Sequence, residues 1–379
     1  MEYDSSSIAP APKVNVLMFA RIDERGGGVI NFVETLKCNL PDDIYVRHFR
    51  IGRRTMVGAR WFRPAFLIYD VIGLVCLLAR SKFDVAQINA SLDQKSLIRD
   101  AAFLLVMNAL ARKMRLVVFF HGWEDQTAKG IGTRIWCRKV FLYVLRKATR
   151  ILVLASRFKE ELIRLGIDED KVDVYTTMFD GNLCIRMRNI RKTSVETILF
   201  LSRLIKEKGV LELLEAFKKL SQIYPKLQLV IAGDGAIRKD LEQWVVANQL
   251  TPRVHFAGFV SGEDKADQLY NADLFVLPTY YGEGCPVALL EAMAAALPLV
   301  TTRAGGIPDV VQEPENGILL DEVNENSIMT AVRRFIESPD LVREVSKNNY
   351  DKAWSQLEAS IVSRKLAALY RDIVRAGVV

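Results

Sequence analysis

The feature that most constrains this chain is an alternation that occurs twice. Short, almost continuously apolar runs are separated by longer segments with helical spacing. VNVLMFA from Val14, DVAQINA from Asp84, LVVFFHG from Leu116 and RILVLA from Arg150 are the first set. Strands of that character are buried on both faces, as in a parallel sheet covered by helices. Helical spacing runs from Ser96 to Lys113 and from Thr133 to Arg146, and Ser156 is placed to cap a helix after the fourth run. The pattern then restarts with TILFLSR from Thr197, LQLVIAG from Leu227, RVHFAG from Arg253, DLFVLPT from Asp273 and PLVTT from Pro298. Helices are expected over Val210–Ile223, Ile237–Asn248 and Pro286–Ala296. Repeated β–α alternation implies parallel sheets with right-handed crossovers. The expected organisation is a disordered lead-in over 1–12, a Rossmann-like doubly wound domain over 13–190 and a second over 191–379. The polar stretch from Asp180 to Ser194 is the linker, and the last helix is free to pack back on the first domain. Ligands are expected in the cleft at the carboxyl ends of the strands.

A length of 379 residues suits two such domains. The start lacks the basic and apolar regions of a secretory signal. The most apolar segment, Pro64 to Ala79, is too short for a membrane span and carries Asp70. Five scattered cysteines with no CxxC pair argue against a disulfide framework or zinc site and for a reducing compartment. The first 190 residues hold 30 Lys/Arg against 20 Asp/Glu, whereas the remainder hold 22 against 25. The basic half carries no nucleic-acid motif, so no nucleic-acid partner is expected. GxxxxGK[ST], HExxH and GxSxG are absent from the sequence.

Several segments carry candidate chemistry. In EGCPVALLEAMAAAL, Glu283 and Glu291 are eight apart, a spacing that shares a face if both lie on one helix. Two acceptors at that separation suit hydroxyls on two sugar rings, and a Glu inside so apolar a helix requires a partner. The helix start at Gly284, Cys285 and Pro286 is expected to offer free backbone N–H groups to phosphate or sugar oxygens. In SRLIKEKG, Arg203 and Lys208 follow a strand where two cations suit a diphosphate, with Lys206 as a rival for the second place. RIDERGGGV places Gly26, Gly27 and Gly28 before a helix, where backbone can approach a phosphate, although this is not GxGxxG. His121 ends a strand at the cleft edge and can hydrogen-bond a sugar hydroxyl. Gly233, Asp234 and Gly235 form a tight turn expected beneath a nucleotide.

This arrangement resembles glycosyltransferase family 4, the retaining enzymes of the GT-B fold. E-x7-E stands as Glu283 and Glu291, R-x4-K as Arg203 and Lys208, with the glycine loop, the HG after a strand and the AGDG turn in family order. The resemblance implies a nucleotide-diphosphate-sugar donor, with no cofactor and no metal. Glu291 would hold the ribose, Glu283 and the backbone after it the transferred sugar, Arg203 and Lys208 the diphosphate, Gly27 and Gly28 the phosphates from the other lobe, and His121 would sit by the donor sugar. The implied mechanism is same-face displacement. The acceptor would be a saccharide or a polyprenyl-linked sugar. The stretch from Ile44 to Tyr69 has six arginines, no acid and interleaved aromatics, which suits an anionic membrane surface on the cytoplasmic side. The alternatives are a sugar-nucleotide epimerase, a phosphorylase, or an inactive scaffold that keeps the fold.

Overall fold

The computed structural model describes residues 13–20, 28–51, 63–92, 94–133, 135–182, 193–282 and 284–377, with the side chains of 63–65, 94–95, 132–133 and 135–137 outside the description. The strands and helices of the first lobe are, in order, β1 (Val14–Ala20), α1 (Gly28–Asn39), β2 (Ile44–Arg50), α2 (Arg63–Arg80), β3 (Val85–Leu92), α3 (Gln94–Leu110), β4 (Arg115–Trp123), α4 (Asp125–Thr133), α5 (Ile135–Leu145), β5 (Arg150–Val153), α6 (Ser156–Leu165) and β6 (Val172–Val174). Those of the second are β7 (Thr197–Leu201), α7 (Val210–Ile223), β8 (Gln228–Ala232), α8 (Arg238–Ala247), β9 (Val254–Gly258), α9 (Gly262–Asn271), β10 (Leu274–Val276), α10 (Val287–Ala294), β11 (Leu299–Thr302), α11 (Ile307–Val310), β12 (Gly317–Leu320), α12 (Glu325–Ile336) and α13 (Pro339–Lys352). A last helix, α14 (Ala359–Arg375), follows.

Among the described residues the strands form two six-stranded parallel sheets, ordered β2-β1-β3-β4-β5-β6 and β12-β11-β10-β7-β8-β9. The central strands are apolar because helices cover both faces. In β3, residues alternate between two cores: Ala86, Ile88 and Ala90 face one and Val85 the other. The chain reverses its winding direction between β1 and β3 in the first sheet and between β7 and β10 in the second. Loops separate at such a reversal and leave a crevice at the carboxyl ends.

Helix α14 contributes Val362, Leu366, Ala367, Tyr370 and Ile373 to the core beneath β1 and α1 of the first lobe. Arg371 holds Asp43, just before β2, with two bonds of 2.7 Å. The chain therefore returns to the first lobe after building the second.

Three details depart from the sequence reading. Ile44–Arg50, taken only as part of a basic run, is the edge strand β2, and Arg47 on it donates to Ser81 Oγ. Residues 52–62 of that run lie outside the described residues. The helix expected over Thr133–Arg146 is α5, and the helix α4 before it was not expected. Ser156 is the first residue of α6 rather than its cap, and its backbone N–H donates across the lobes to Asp309 Oδ2 at 2.9 Å.

Candidate functional site

The crevice between the lobes holds a cavity of about 530 Å³. From the first lobe it is lined by Gly28, Asn31, Phe32, Glu34 and Thr35, all on α1. From the second it is lined by the loops after β7, β8 and β9 and by the start of α10. A larger crevice, about 1210 Å³, includes Arg115 and Arg150, the first residues of β4 and β5. It runs on past Val174–Thr176 at the end of β6 to Asp309, Lys352 and α14, and takes in none of the loops after β7, β8 and β9.

The winding reversal between β7 and β10 sets the cation pair. Arg203 follows β7 directly and is exposed, whereas Lys208 is 2% exposed at the end of a short 3-10 turn. Both lie against the Tyr281 ring in the loop after β10, at 5.8 and 4.9 Å from its centroid. An aromatic face attracts a cation without neutralising it. Lys208 lines the cavity, and its rival Lys206 is exposed away from it.

Glu291 sits in α10, 5% exposed, among Leu289, Leu290, Ala292 and Met293. Its carboxylate takes Lys265 of α9 at 2.5 Å. Burial pushes the Glu291 carboxyl above its usual range; the Lys265 ammonium pulls it back down, and Asp180 adds to the rise. An acceptor in so apolar a setting stays ionised only with a cation or several donors beside it. Lys265 lies 26 positions upstream in the polar helix GEDKADQLYN. The sequence signal for it was the demand of a buried Glu for a partner, which names a need but not a residue.

The start of α10 corrects two expectations. The helix begins at Val287 with Pro286 as its cap, so position 283 precedes it and the shared-face argument for Glu283 and Glu291 does not apply. Proline has no N–H, so Pro286 cannot supply one. Val287 and Ala288, in the first turn and lining the cavity, carry the amides that point out of a helix start. Gly284 and Cys285 do not line the cavity. A Cβ on Gly284 would stand 2.7 Å from the Leu154 side chain, so this glycine is one of the places where the two lobes touch. Cys285 is buried, and its carbonyl accepts from Thr177 Oγ1 at 3.0 Å.

Gly233 lines the cavity with φ +143, and a Cβ there would fall 1.9 Å from the Ser202 carbonyl oxygen. No side chain fits, so the β8 turn packs directly on the β7 turn that presents Arg203. Asp234 is exposed at the rim, turned back on Arg238 and on the Gly235 N–H. Gly28 opens α1 across the cavity. His121 is not among the lining residues. It packs against Phe32 and Phe119, with ring centroids 4.7 and 4.2 Å away, and is partly exposed. Burial pushes its imidazole down to about 3, so it is neutral. Glu283 and Gly27 lie outside the described residues. The structure thus brings Gly28, Arg203, Lys208, Gly233, Asp234, Pro286 and Glu291 together, sets His121 against Phe32, and adds Lys265 and Asp180.

Two parallel doubly wound sheets with a ligand cleft between them define the GT-B class of glycosyltransferase folds. Residues 185–352 match the family described as glycosyl transferases group 1. The chain is 28% identical over 241 residues to the alpha-D-kanosaminyltransferase of Streptomyces kanamyceticus, covering 61% of this chain and 62% of that protein. It is 26% identical over 275 residues to the amylovoran biosynthesis glycosyltransferase AmsK of Erwinia amylovora, covering 69% and 67%. The match thus spans about two thirds or less of these relatives. The crystal structure of Anabaena HepE in complex with UDP-glucose superimposes with a TM-score of 0.70 at 19% identity, covering 94% of this chain and 99% of that one.

Proposed function

We propose that the protein is a retaining glycosyltransferase. It takes a sugar from a nucleotide-diphosphate donor of the UDP or GDP type and adds it to a saccharide or lipid-linked acceptor, in surface polysaccharide or glycolipid synthesis. The observation that carries this reading is the meeting of Arg203, Lys208 and buried Glu291 in one cavity at the β7–β10 reversal. Their chemistry matches the three parts of such a donor. Glu291 accepts from the ribose hydroxyls, the two cations face the diphosphate, and the α10 amides of Val287 and Ala288 turn toward its oxygens. The similarity to a kanosaminyltransferase and to an amylovoran biosynthesis glycosyltransferase supports a sugar-transfer role.

In the proposed step the C1–O bond of the donor breaks and its electron pair leaves on the diphosphate. The acceptor oxygen bonds to C1 on the same face, and its proton passes to the departing phosphate oxygen. Arg203 and Lys208 hold the charge that develops on that oxygen and fill the role that a metal ion serves elsewhere. The acceptor side belongs to the first lobe. Its helix α2 turns Ile68, Tyr69 and Ile72 to solvent, beside the basic run already noted, and this suits a lipid-linked acceptor at a membrane surface.

Thermal shifts with a panel of nucleoside diphosphates test the donor, because a ligand that binds the folded state raises apparent stability. A shift with UDP or GDP that disappears in Glu291→Ala supports the reading. NMR of the product settles the stereochemistry: an inverted anomeric centre rejects retention, and activity abolished by a chelator rejects the metal-free step.

A further inference from the structure

Strand β3 carries two amide side chains, Gln87 and Asn89, on the face that α14 covers. They are 0% and 6% exposed in surroundings that are otherwise apolar. Buried amides are tolerated only when their donors and acceptors are matched, and here each bond fixes the next. Asn89 Nδ2 donates to the Phe19 backbone carbonyl at 3.0 Å. A carbonyl can only accept, so this end fixes which way the Asn89 amide faces. Its Oδ1 is then turned to Gln87 Nε2, which donates at 3.0 Å, and to His121 Nε2 at 2.9 Å. Gln87 Oε1 is left facing the Tyr370 hydroxyl on α14, which donates at 2.6 Å. Burial holds the Tyr370 phenol well above its usual pKa, so it keeps the proton it donates.

An amide oxygen cannot donate, so His121 Nε2 must. We propose that the Tyr370–Gln87–Asn89 chain holds His121 as the Nε2–H tautomer, so that Nδ1 is a bare acceptor for a hydroxyl of the bound substrate. Nδ1 makes no hydrogen bond among the described residues, and the ring lies against Phe32, which lines the cavity. His121 is then unable to deliver a proton from Nδ1 and serves to orient. Gln87, Asn89 and Tyr370 are positioning residues, because they act only through His121. The second half of the proposal rests on the transferase reading; the first half does not.

The test labels the three histidines with ¹⁵N and reads the ring nitrogens by NMR in the intact protein. His121 is expected to show protonated Nε2 and unprotonated Nδ1 from pH 5 to 8. Protonated Nδ1, or titration near the ordinary 6.5, overturns the proposal. Asn89→Leu is expected to mix the two tautomers and to lower kcat/KM for the donor about tenfold. Tyr370→Phe releases the Gln87 amide and is expected to give a second set of His121 signals. If Tyr370→Phe lowers the melting temperature and leaves those signals unmoved, the chain is structural only and the proposal fails. If the tautomer is as expected but Asn89→Leu leaves donor kinetics unchanged, Nδ1 does not meet the substrate, which overturns the second half. Failure of any nucleotide sugar to bind the wild type instead removes the transferase reading and leaves the tautomer result standing.

Discussion

The two lobes face one cavity with different kinds of polarity. The second brings buried charge to it: Lys208 and Glu291 are nearly inaccessible yet ionisable, and Lys265 is half-buried beside Glu291. The first brings neutral or exposed groups: the backbone at Gly28, the side chains of Asn31 and Thr35, an exposed Glu34, and against Phe32 a neutral His121. Charge held out of water is strong toward an opposite charge and costly without one. A lobe built that way suits an anionic ligand whose position does not vary. Neutral hydrogen-bonding groups discriminate by shape and cost little when a site is empty, which suits a partner that differs between relatives.

The sharpest way to break this comparison is to remove the buried cation. Lys208→Ala is expected to lower turnover by about 10²- to 10³-fold, the range for deleting one group aimed at developing transition-state charge. Arg203→Ala should follow by a smaller factor, because it is exposed. Initial rates measure both, and equal, small losses would show that burial confers nothing. Next in size, Glu291→Ala is expected to weaken nucleoside diphosphate binding by about 1.5–3 kcal/mol, the value of a hydrogen bond to a charged group. Calorimetry against pH adds a sign. The bound form needs the carboxylate, and burial raises its pKa above 4.5. Affinity should therefore fall as pH drops through that raised value, before ordinary carboxylates titrate. A flat profile down to pH 4.5 contradicts it.

On the first lobe, anionic vesicles should pull the protein down at low salt and release it at high salt. Each neutralised arginine in the Ile44–Tyr69 run should cost about 1 kcal/mol, and equal recovery in the supernatant without and with anionic lipid rejects surface binding. The smallest effect concerns the Asp43–Arg371 pair. Arg371→Met is expected to cost about 1 kcal/mol, since the pair is partly exposed. The guanidinium bonds hold the Asp43 carboxyl below 3.8. That contribution is present above 3.8 and is lost as pH falls through the lower folded value. Urea unfolding of both proteins should show the difference at pH 7 and a shrinking one toward pH 3.

Much of the fold was legible because its central strands are apolar on both faces. β2, β6 and β12 were not: IYVRHFR shows one face to solvent, and the other two are three and four residues long at sheet edges. Helix α4 was hidden because DQTAKGIGT, with two glycines and two threonines, has weak helical character of its own. In the site, Arg203, Lys208 and Glu291 were visible as residue types at the ends of strands or in an apolar helix. Lys265 and the Gln87–Asn89 chain were not, since both are created by contacts between segments far apart in sequence. The assignment of an N–H to Pro286 failed on covalent structure alone.

Helix α14 has a consequence for the order in which the molecule is made. The first lobe is translated first, yet its core includes Tyr370 and Leu366, both 0% exposed. Domains ordinarily condense as they emerge, the earlier one first. Here residues 13–179 leave the ribosome without the helix that covers β1 and α1, and every residue of the second lobe's strands emerges before it. The face of the first lobe beneath β1 and α1 stays uncovered until α14 arrives, and the second lobe's core, which takes in Ala353 and Leu357, is completed only a few residues earlier.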